Sequence, residues 1–374
     1  MRIAIDARLL KPKPDDGISR FTWEVVKRLV YDHPGHQYIL VFDKEHKGLF
    51  TLPSNTTSYV MKPASRHPVL WYTWHEWQLP RVLRKSNADI LFSPDGIIPL
   101  NTPIPCVPVI HDINFFHRPG DIPYITSLYY RHFFVKFARK ARRVLTVSEF
   151  CRQDISENMG IDPSLIDVAH NGVSDYFVPF PDVEKAAFRE KHTGGQPYFL
   201  FVGNFSPRKN IPGLINAYNI FRERGGAGIK LVLTGGRLFL NSETDRLINS
   251  SPYKHDIILT GSFSHSDLAI LYASAEALVF VPWFEGFGIP AAEAMRCGTP
   301  VILSDTTSLP EVGGKAALYA SPSDPSSVAD CMLKIISDSE LRERLIAEGY
   351  LQSARFTWDN TANQVMKSIE KAFL

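Results

Sequence analysis

Short apolar runs alternate with amphipathic segments along this whole chain, and that rhythm restricts the fold more than any single residue does. RIAID, YILVF, DILF, CVPVIHD and RRVLTVS form a first set of runs; YFLFVG, KLVLTG, DIILTG, ALVFVP and PVILS form a second. Segments such as SRFTWEVVKRLV and HSDLAILYASA lie between them, with apolar positions at helical spacing. A run that is apolar on both faces reads as a strand covered on both faces, which calls for a parallel sheet with helices above and below it. Two sets of about five strands in 374 residues therefore predict α/β architecture with two similar doubly wound domains, because a single core stops growing before that length.

A charged, proline-punctuated stretch, YFVPFPDVEKAAFREKHTGGQP, separates the two sets and puts the boundary near residues 178–195. The expected division is 1–180 and 190–355, with FTWDNTANQVMKSIEKAFL (about 356–374) as a final helix with no strand after it. A net charge of +2 argues against a nucleic-acid partner. The four cysteines, Cys106, Cys151, Cys297 and Cys331, are scattered without a CxxC pair, as expected in a reducing cytoplasm without disulfides or structural zinc. No apolar run approaches the roughly 20 residues of a membrane span. MRIAIDARLL carries Asp6 inside its apolar stretch and lacks a small-residue cleavage site, so it reads as a strand rather than a signal peptide. These features predict a soluble, cytoplasmic protein.

Ligands of doubly wound sheets bind outside the carboxyl ends of the strands. The residues there are Gly17 to Arg20 (somewhat beyond the first strand), His111-Asp112, Ser148-Glu149, Gly203 to Asn210, Gly235-Gly236, Gly261 to Phe263, and the stretch FEGFGIPAAEAMRCGTPVI. Two domains facing each other would gather them around one cleft, which suits an enzyme acting on a nucleotide-containing substrate. In the last stretch, Gly286-Phe287-Gly288 forms a turn that lets backbone approach a ligand, ahead of a helix with Pro290 in its first turn and Gly298 past its end. Free N–H groups at that helix start favour an anion. Glu293, in the first helical turns, cannot meet a phosphate, but its carboxylate can accept two hydrogen bonds from a ribose diol. Glu285, on the strand side of the turn, can serve the hydroxyls of a second sugar. Taken singly, each glutamate also fits a plainer role: Glu293 complementing the helix dipole, Glu285 solvated.

FVGNFSPRKN supplies positive charge: Gly203 ends a strand, and Arg208 and Lys209 follow in the loop, suited to a diphosphate leaving group. No Asp-x-Asp pair occurs in the chain to bridge a diphosphate through a metal, so cations and helix dipoles must stabilise the departing charge. A competing reading takes Gly286-x-Gly288-x-x-Ala291, with Asp305 about 20 residues on, as a dinucleotide fingerprint of an NAD-dependent oxidoreductase. That motif follows one of the last strands of its set, whereas the fingerprint belongs in the first βα turn. A non-catalytic sugar-nucleotide binder on the same fold is a third reading.

These motifs together resemble glycosyltransferase family 4, retaining enzymes of the GT-B fold, whose two Rossmann-like domains face a cleft and whose C-terminal helix crosses back to the N-terminal domain. The resemblance spans nearly the whole chain, from RIAIDAR with GISRF through DILFSP, VIHDINFF, LTVSEF, HNGV, VGNFSPRKN and LVLTGG to the Glu-x7-Glu stretch and SLPEVGG. It implies a donor site mostly in the second domain. There Glu293 would hold the ribose, Glu285 with backbone of Gly286, Phe287 and Gly288 the donor sugar, Arg208 and Lys209 the diphosphate, and backbone around Ser262 and Phe263 the base. His111 would lie near the anomeric centre, and Gly17 would approach the diphosphate on closure. Where many members carry arginine after the glycine of the diphosphate loop, this chain has Asn204, with Arg208 as the compensating cation. The second glycine of the amino-terminal loop is here Ser19.

The PRKN and EGFGIP wording is similar to branches that use GDP-mannose to build bacterial surface polysaccharides; no residue by itself selects guanine over uracil, so UDP-glucose, UDP-N-acetylglucosamine and dTDP-rhamnose stay open as donors. The nucleotide sugar enters as substrate, with no cofactor and no metal. The acceptor would be a glycan or a lipid-linked glycan. In YYRHFFVKFARKARRVL, Arg131, Lys136, Arg139, Lys140, Arg142 and Arg143 accompany five aromatic residues, a pattern that can rest on anionic lipid or pack its rings inward. Trp71, Trp74 and Trp77, three apart, predict one helical face that packs into the core by default, with acceptor binding as the alternative.

Overall fold

A computed structural model describes residues 1–12, 14, 16–45, 50–62, 68–236 and 242–374. The chain divides into two units, Met1–Gly172 with Trp358–Leu374, and Val173–Thr357. In the first unit, β1 (Arg2–Asp6), β2 (Gln37–Phe42), β3 (Thr56–Val60), β4 (Ile90–Ser93) and β5 (Cys106–Pro108) form a sheet of order β3-β2-β1-β4-β5, every pair parallel. β6 (Val144–Thr146) and β7 (Ile166–Val168) form a parallel pair, linked to the chain after β5 by a bridge between Val109 and Leu145. Ile3, Ala4, Ile5, Leu91 and Phe92 are fully buried, as strands covered on both faces must be.

In the second unit, β8 (Tyr198–Val202), β9 (Lys230–Thr234), β10 (Ile257–Gly261), β11 (Ala277–Phe280), β12 (Val301–Ser304) and β13 (Ala317–Ala320) run in the order β10-β9-β8-β11-β12-β13, again all parallel. Counted from its own first strand this is the order 3-2-1-4-5-6 of a doubly wound Rossmann sheet.

The division falls at Gly172/Val173, upstream of the proline-rich stretch where composition places it. That stretch is not a linker. It contains the helix Asp182–Thr193, whose Arg189 donates to the Ser274 carbonyl (2.7 Å) and to Glu276 (2.9 Å), fastening it to the second unit. The last helix, Trp358–Phe373, belongs to the first unit and buries Trp358, Thr361, Ala362, Val365, Met366, Ile369 and Ala372 along one stripe. It is tied down by Asp167, which accepts from Arg143, from Ser368 Oγ (2.7 Å) and from Lys371 Nζ (3.0 Å). Among the described residues no helix is long and apolar enough to cross a membrane.

The tryptophan stripe departs from expectation. Trp74 is fully buried, Trp71 is half-buried and stacks on Tyr130 (6.3 Å), and Trp77 is 59% exposed. The segment Trp74–Gln78 is a π-helical turn, and its wider winding carries Trp77 off the face that spacing by three would share.

Candidate active site

The topology of the second unit creates its own crevice. From β8 the chain crosses to β9 on one side, and from β11 to β12 on the other, so the loops after the adjacent strands β8 and β11 part at their carboxyl ends. Arg208 and Lys209 lie in a tight turn of the first loop, Pro207–Lys209. Asn210 follows in the left-handed region (φ +57°), and its side-chain amide donates to the Val281 (3.1 Å) and Pro322 (2.9 Å) carbonyls. The Trp283 amide in turn donates to the Arg208 carbonyl at 2.8 Å. The two loops are therefore stitched together before any charged side chain is considered.

Across that seam, Arg208 Nη1 donates to Glu285 Oε2 (2.9 Å) and to the Phe284 carbonyl (3.1 Å), and Lys209 Nζ donates to the same Glu285 oxygen. Lys209 also stands 4.7 Å from the centre of the Phe280 ring. Burial alone would raise the Glu285 carboxyl, but Lys209 and then Arg208 hold it below its ordinary value. The sequence places the two cations against a diphosphate; the structure places both on Glu285, with side-chain exposures of only 23%, 7% and 13% for Arg208, Lys209 and Glu285. Glu285 is thus no solvated surface charge.

The glycine turn is braced from behind. Ser308 Oγ lies 2.9 Å from the Glu285 carbonyl and 3.0 Å from the Phe287 carbonyl, while the Phe287 ring is buried edge-on against Phe356 (5.2 Å). Gly288 has φ +101°, and a Cβ there would stand 2.5 Å from Leu309 Cδ2, so both conformation and space require glycine. Gly288 caps the helix Ile289–Arg296 without a side-chain hydrogen bond. Glu293, on that helix, is 3% exposed and accepts from the Tyr272 hydroxyl at 2.9 Å. Glu293 is therefore a buried, partnered carboxylate and not a solvated charge at the helix start.

Beside this crevice, three strand ends carry glycine. The Gly203 amide donates to the Thr234 carbonyl and the Gly235 amide to the Gly261 carbonyl, each at 3.0 Å. A Cβ on Gly235 would lie 1.8 Å from the Gly203 carbonyl oxygen. Asn204 is exposed and turns its Oδ1 back to Ser206 Oγ (2.8 Å), so it shapes its own loop. Ser262 is exposed, and the half-buried Phe263 ring packs near Phe188 (6.1 Å) and His192 (5.4 Å).

In the first unit, His111 follows β5. Its Nε2 lies 2.8 Å from the Pro94 carbonyl, and its ring meets Phe21 edge-on at 4.9 Å. Burial lowers its pKa below the ordinary value, and this outweighs the opposing Pro94 bond. Gly17 opens the helix Gly17–Asp32, but Asp16 caps that helix: its carboxylate accepts from the Ser19 amide (2.8 Å) and Ser19 Oγ (2.7 Å). This helix start therefore carries its own anion, and a phosphate approaching Gly17 meets a carboxylate first. Ser19, at the position of the missing second glycine, is fully buried in this cap.

Sequence reasoning missed one charged cluster, at the switch point of the first sheet, where β1 and β4 are neighbours. Arg8 forks onto Asp6 (2.8 to 3.0 Å) and also bonds Asp95, with its guanidinium 5.0 Å from the Trp74 ring. The signal was present: RIAIDAR and DILFSPDG both end their apolar runs on charge, as SPRKN and FEGFG do in the second half.

Residues 16–175 match the family model "Glycosyltransferase Family 4" and residues 182–352 match "Glycosyl transferases group 1". The chain is 32% identical to O-antigen chain mannosyltransferase B of Escherichia coli, over 95% of this chain and 96% of that protein. It is 30% identical to O-antigen chain mannosyltransferase RfbU of Salmonella typhimurium, over 87% and 85%. In fold it is similar to sucrose-phosphate synthase of Thermosynechococcus elongatus (TM-score 0.77, 17% identity, 98% of each chain covered). It is likewise similar to HepE of Anabaena, solved with UDP-glucose (TM-score 0.76, 17% identity, 99% of each chain). With two Rossmann-like units, a last helix returned to the first, and these relatives, the chain belongs to glycosyltransferase family 4 and is a nucleotide-sugar-dependent glycosyltransferase of the GT-B fold.

Proposed function

We propose that this enzyme transfers mannose from GDP-mannose to a glycan or lipid-linked acceptor in the synthesis of a surface polysaccharide, with retention of configuration and without a metal ion. The observation that carries the reading is the charge balance at the second switch point, where Arg208 and Lys209 converge on the single carboxylate of Glu285. The crevice is net positive at the place where doubly wound sheets hold phosphates. The choice of mannose and of a polysaccharide product is supported by the O-antigen mannosyltransferases to which the chain is similar.

In this reading Glu293, held by Tyr272, accepts the ribose hydroxyls, and backbone at Ser262 and Phe263 reads the base. Glu285 and backbone of Gly286, Phe287 and Gly288 hold the donor sugar. Gly203 and Asn204 border the diphosphate. The bond from the anomeric carbon to the phosphate oxygen breaks, and the acceptor oxygen bonds the same face of that carbon. The acceptor proton passes to the departing phosphate oxygen, and Arg208 and Lys209 stabilise the charge that develops there. In the first unit His111 is assigned to the transfer step, whereas Gly17, behind the Asp16 cap, is given no part in holding the diphosphate.

The helix Tyr124–Lys140 packs part of its aromatic face inward and leaves another part exposed. It buries Phe134 and Phe137, while Tyr124 (76%), Ile125 (70%) and Leu128 (51%) are exposed on the same helix as the exposed Arg131, Lys136 and Lys140. It carries no acidic residue, which suits peripheral contact with anionic lipid at the cytoplasmic face of the membrane.

The test is a donor panel of GDP-mannose, UDP-glucose, UDP-N-acetylglucosamine and dTDP-rhamnose, assayed for hydrolysis and transfer with and without chelator, alongside melting curves with GDP and UDP. GDP-mannose is expected to turn over with chelator present, giving an α-linked product. Failure of every nucleotide to raise the melting temperature, with no donor consumed, overturns the proposal.

A further inference from the structure

The turn that ends β4 is built to aim one carbonyl. In Ser93-Pro94-Asp95-Gly96-Ile97, Asp95 Oδ1 accepts from Ser93 Oγ (3.0 Å) and the Ile97 amide (3.3 Å), closing the turn. Gly96 has φ +83°, and a Cβ there would stand 3.0 Å from both the Val109 carbonyl and the Phe134 ring, so the turn is wedged against the neighbouring chain. Asp95 Oδ2 is bonded by Arg8, which is anchored to Asp6 at the end of β1. Asp6 lies 3.3 Å from His75 Nε2, and His75 Nδ1 lies 2.7 Å from the Trp71 carbonyl. The output of this chain of contacts is the position of the Pro94 carbonyl, 2.8 Å from His111 Nε2.

A carbonyl oxygen only accepts, so a neutral His111 must carry its proton on Nε2 and present the lone pair of Nδ1. We propose that Arg8 and Asp95 are positioning residues of the transfer reaction: by fixing the Pro94 carbonyl they hold His111 in one ring orientation, as the Nε2–H tautomer. The proposal rests on the reading that His111 serves transfer. Burial, which favours neutral His111, keeps the tautomer choice meaningful at neutral pH. Arg8 is bonded to Asp6 and Asp95, and Asp95 to its own turn, so their route to His111 runs through the Pro94 carbonyl.

The experiment compares Asp95→Asn, which keeps the turn-closing acceptor but weakens the Arg8 bond, and Arg8→Lys, which keeps the charge but loses the fork. Nitrogen-15 spectra of the full-length enzyme labelled on histidine report protonation of each ring nitrogen. His111 is assigned among the 12 histidines by the signals missing in His111→Gln. In the wild type His111 is expected as pure Nε2–H. In both variants the two nitrogens move towards an average, kcat falls by about 10- to 100-fold, and the donor KM changes by less than about twofold. A His111 that remains pure Nε2–H in both variants overturns the proposal. Mixed tautomers with unchanged kcat retain the positioning of the ring but refute the role of His111 in transfer.

Discussion

Replacing Glu285 by glutamine should tighten nucleoside-diphosphate binding while slowing transfer. The wild-type carboxylate holds Arg208 at 2.9 Å and Lys209 on the same oxygen, so an incoming diphosphate must share two cations with an anion already present. The amide keeps the shape but removes the charge. With a phosphate at about 7 Å and an effective dielectric of about 20, the repulsion lifted is about 2 kcal/mol; solvent and salt reduce it to roughly 1 kcal/mol, or about fivefold in Kd. Without nucleotide the variant leaves Lys209, only 7% exposed, without its carboxylate, a loss of about 2–3 kcal/mol and of roughly 5–10 °C in melting temperature. Turnover is expected to fall by about 100-fold if Glu285 holds the donor sugar as proposed. Calorimetry with GDP at two salt concentrations, melting curves with and without GDP, and single-turnover transfer separate these effects. The expected pattern is a lower melting temperature alone, a larger GDP-induced rise, and a smaller kcat. If GDP affinity instead drops in proportion to turnover, the carboxylate contacts the nucleotide directly, and the idea of cations held in reserve by Glu285 is wrong.

Glu293→Gln should weaken GDP binding by about tenfold or more, since one of two acceptor oxygens becomes a donor, and Tyr272→Phe, which only releases the carboxylate, by about fivefold; equal affinity in all three proteins removes the ribose role. Gly235→Ala should lower stability by about 3 kcal/mol and impair nucleotide binding, because its Cβ would stand 1.8 Å from the Gly203 carbonyl and the diphosphate loop must move; an unchanged melting curve contradicts the geometry. Asp167 is pulled upward by burial, yet its bonds from Arg143, Ser368 and Lys371 bring it to about 2, below its ordinary 3.8. Its stabilisation is therefore complete above the unfolded value and lost as pH falls through about 2, so Asp167→Asn should be less stable by about 2 kcal/mol at pH 6, with the gap closing on acidification. Urea titrations at both ends of that range check it, and a pH-independent gap refutes it.

The sequence made the interior of each sheet legible and its margins obscure. Runs such as YFLFVG and ALVFVP are buried on both faces, so they show as unbroken apolar strings. The edge strand β3, TTSYV, is largely exposed and polar, β7 is three residues long, and β13 is half-buried; none announces itself as a run. The site shows the same split. Glu285, the glycine turn and Glu293 are legible because they lie within one loop and one helix. That Arg208 would pair with Glu285, 77 residues away, depends on β8 and β11 becoming neighbours, which no local pattern records. The π-turn at Trp74–Gln78 is also invisible, because WHEWQ keeps an ordinary helical spacing and carries no local mark of the wider winding.

Strand order explains both charge clusters at once and also why they differ. In each unit the loop after the first strand supplies a cation and the loop after the fourth supplies a carboxylate, because those two strands are adjacent where the sheet reverses direction. In the first unit one cation, Arg8, meets two carboxylates, Asp6 and Asp95, behind side-chain exposures of 7%, 2% and 14%. In the second, two cations meet one carboxylate, and Arg208 is 23% exposed. An excess of buried negative charge repels a diphosphate and suits a fixed strut; an excess of positive charge at a partly open crevice attracts one. The same topological position is thus proposed as a brace for His111 in one unit and as a phosphate site in the other, and reversing the balance in the first, with Asp6→Asn, should not create nucleotide binding there.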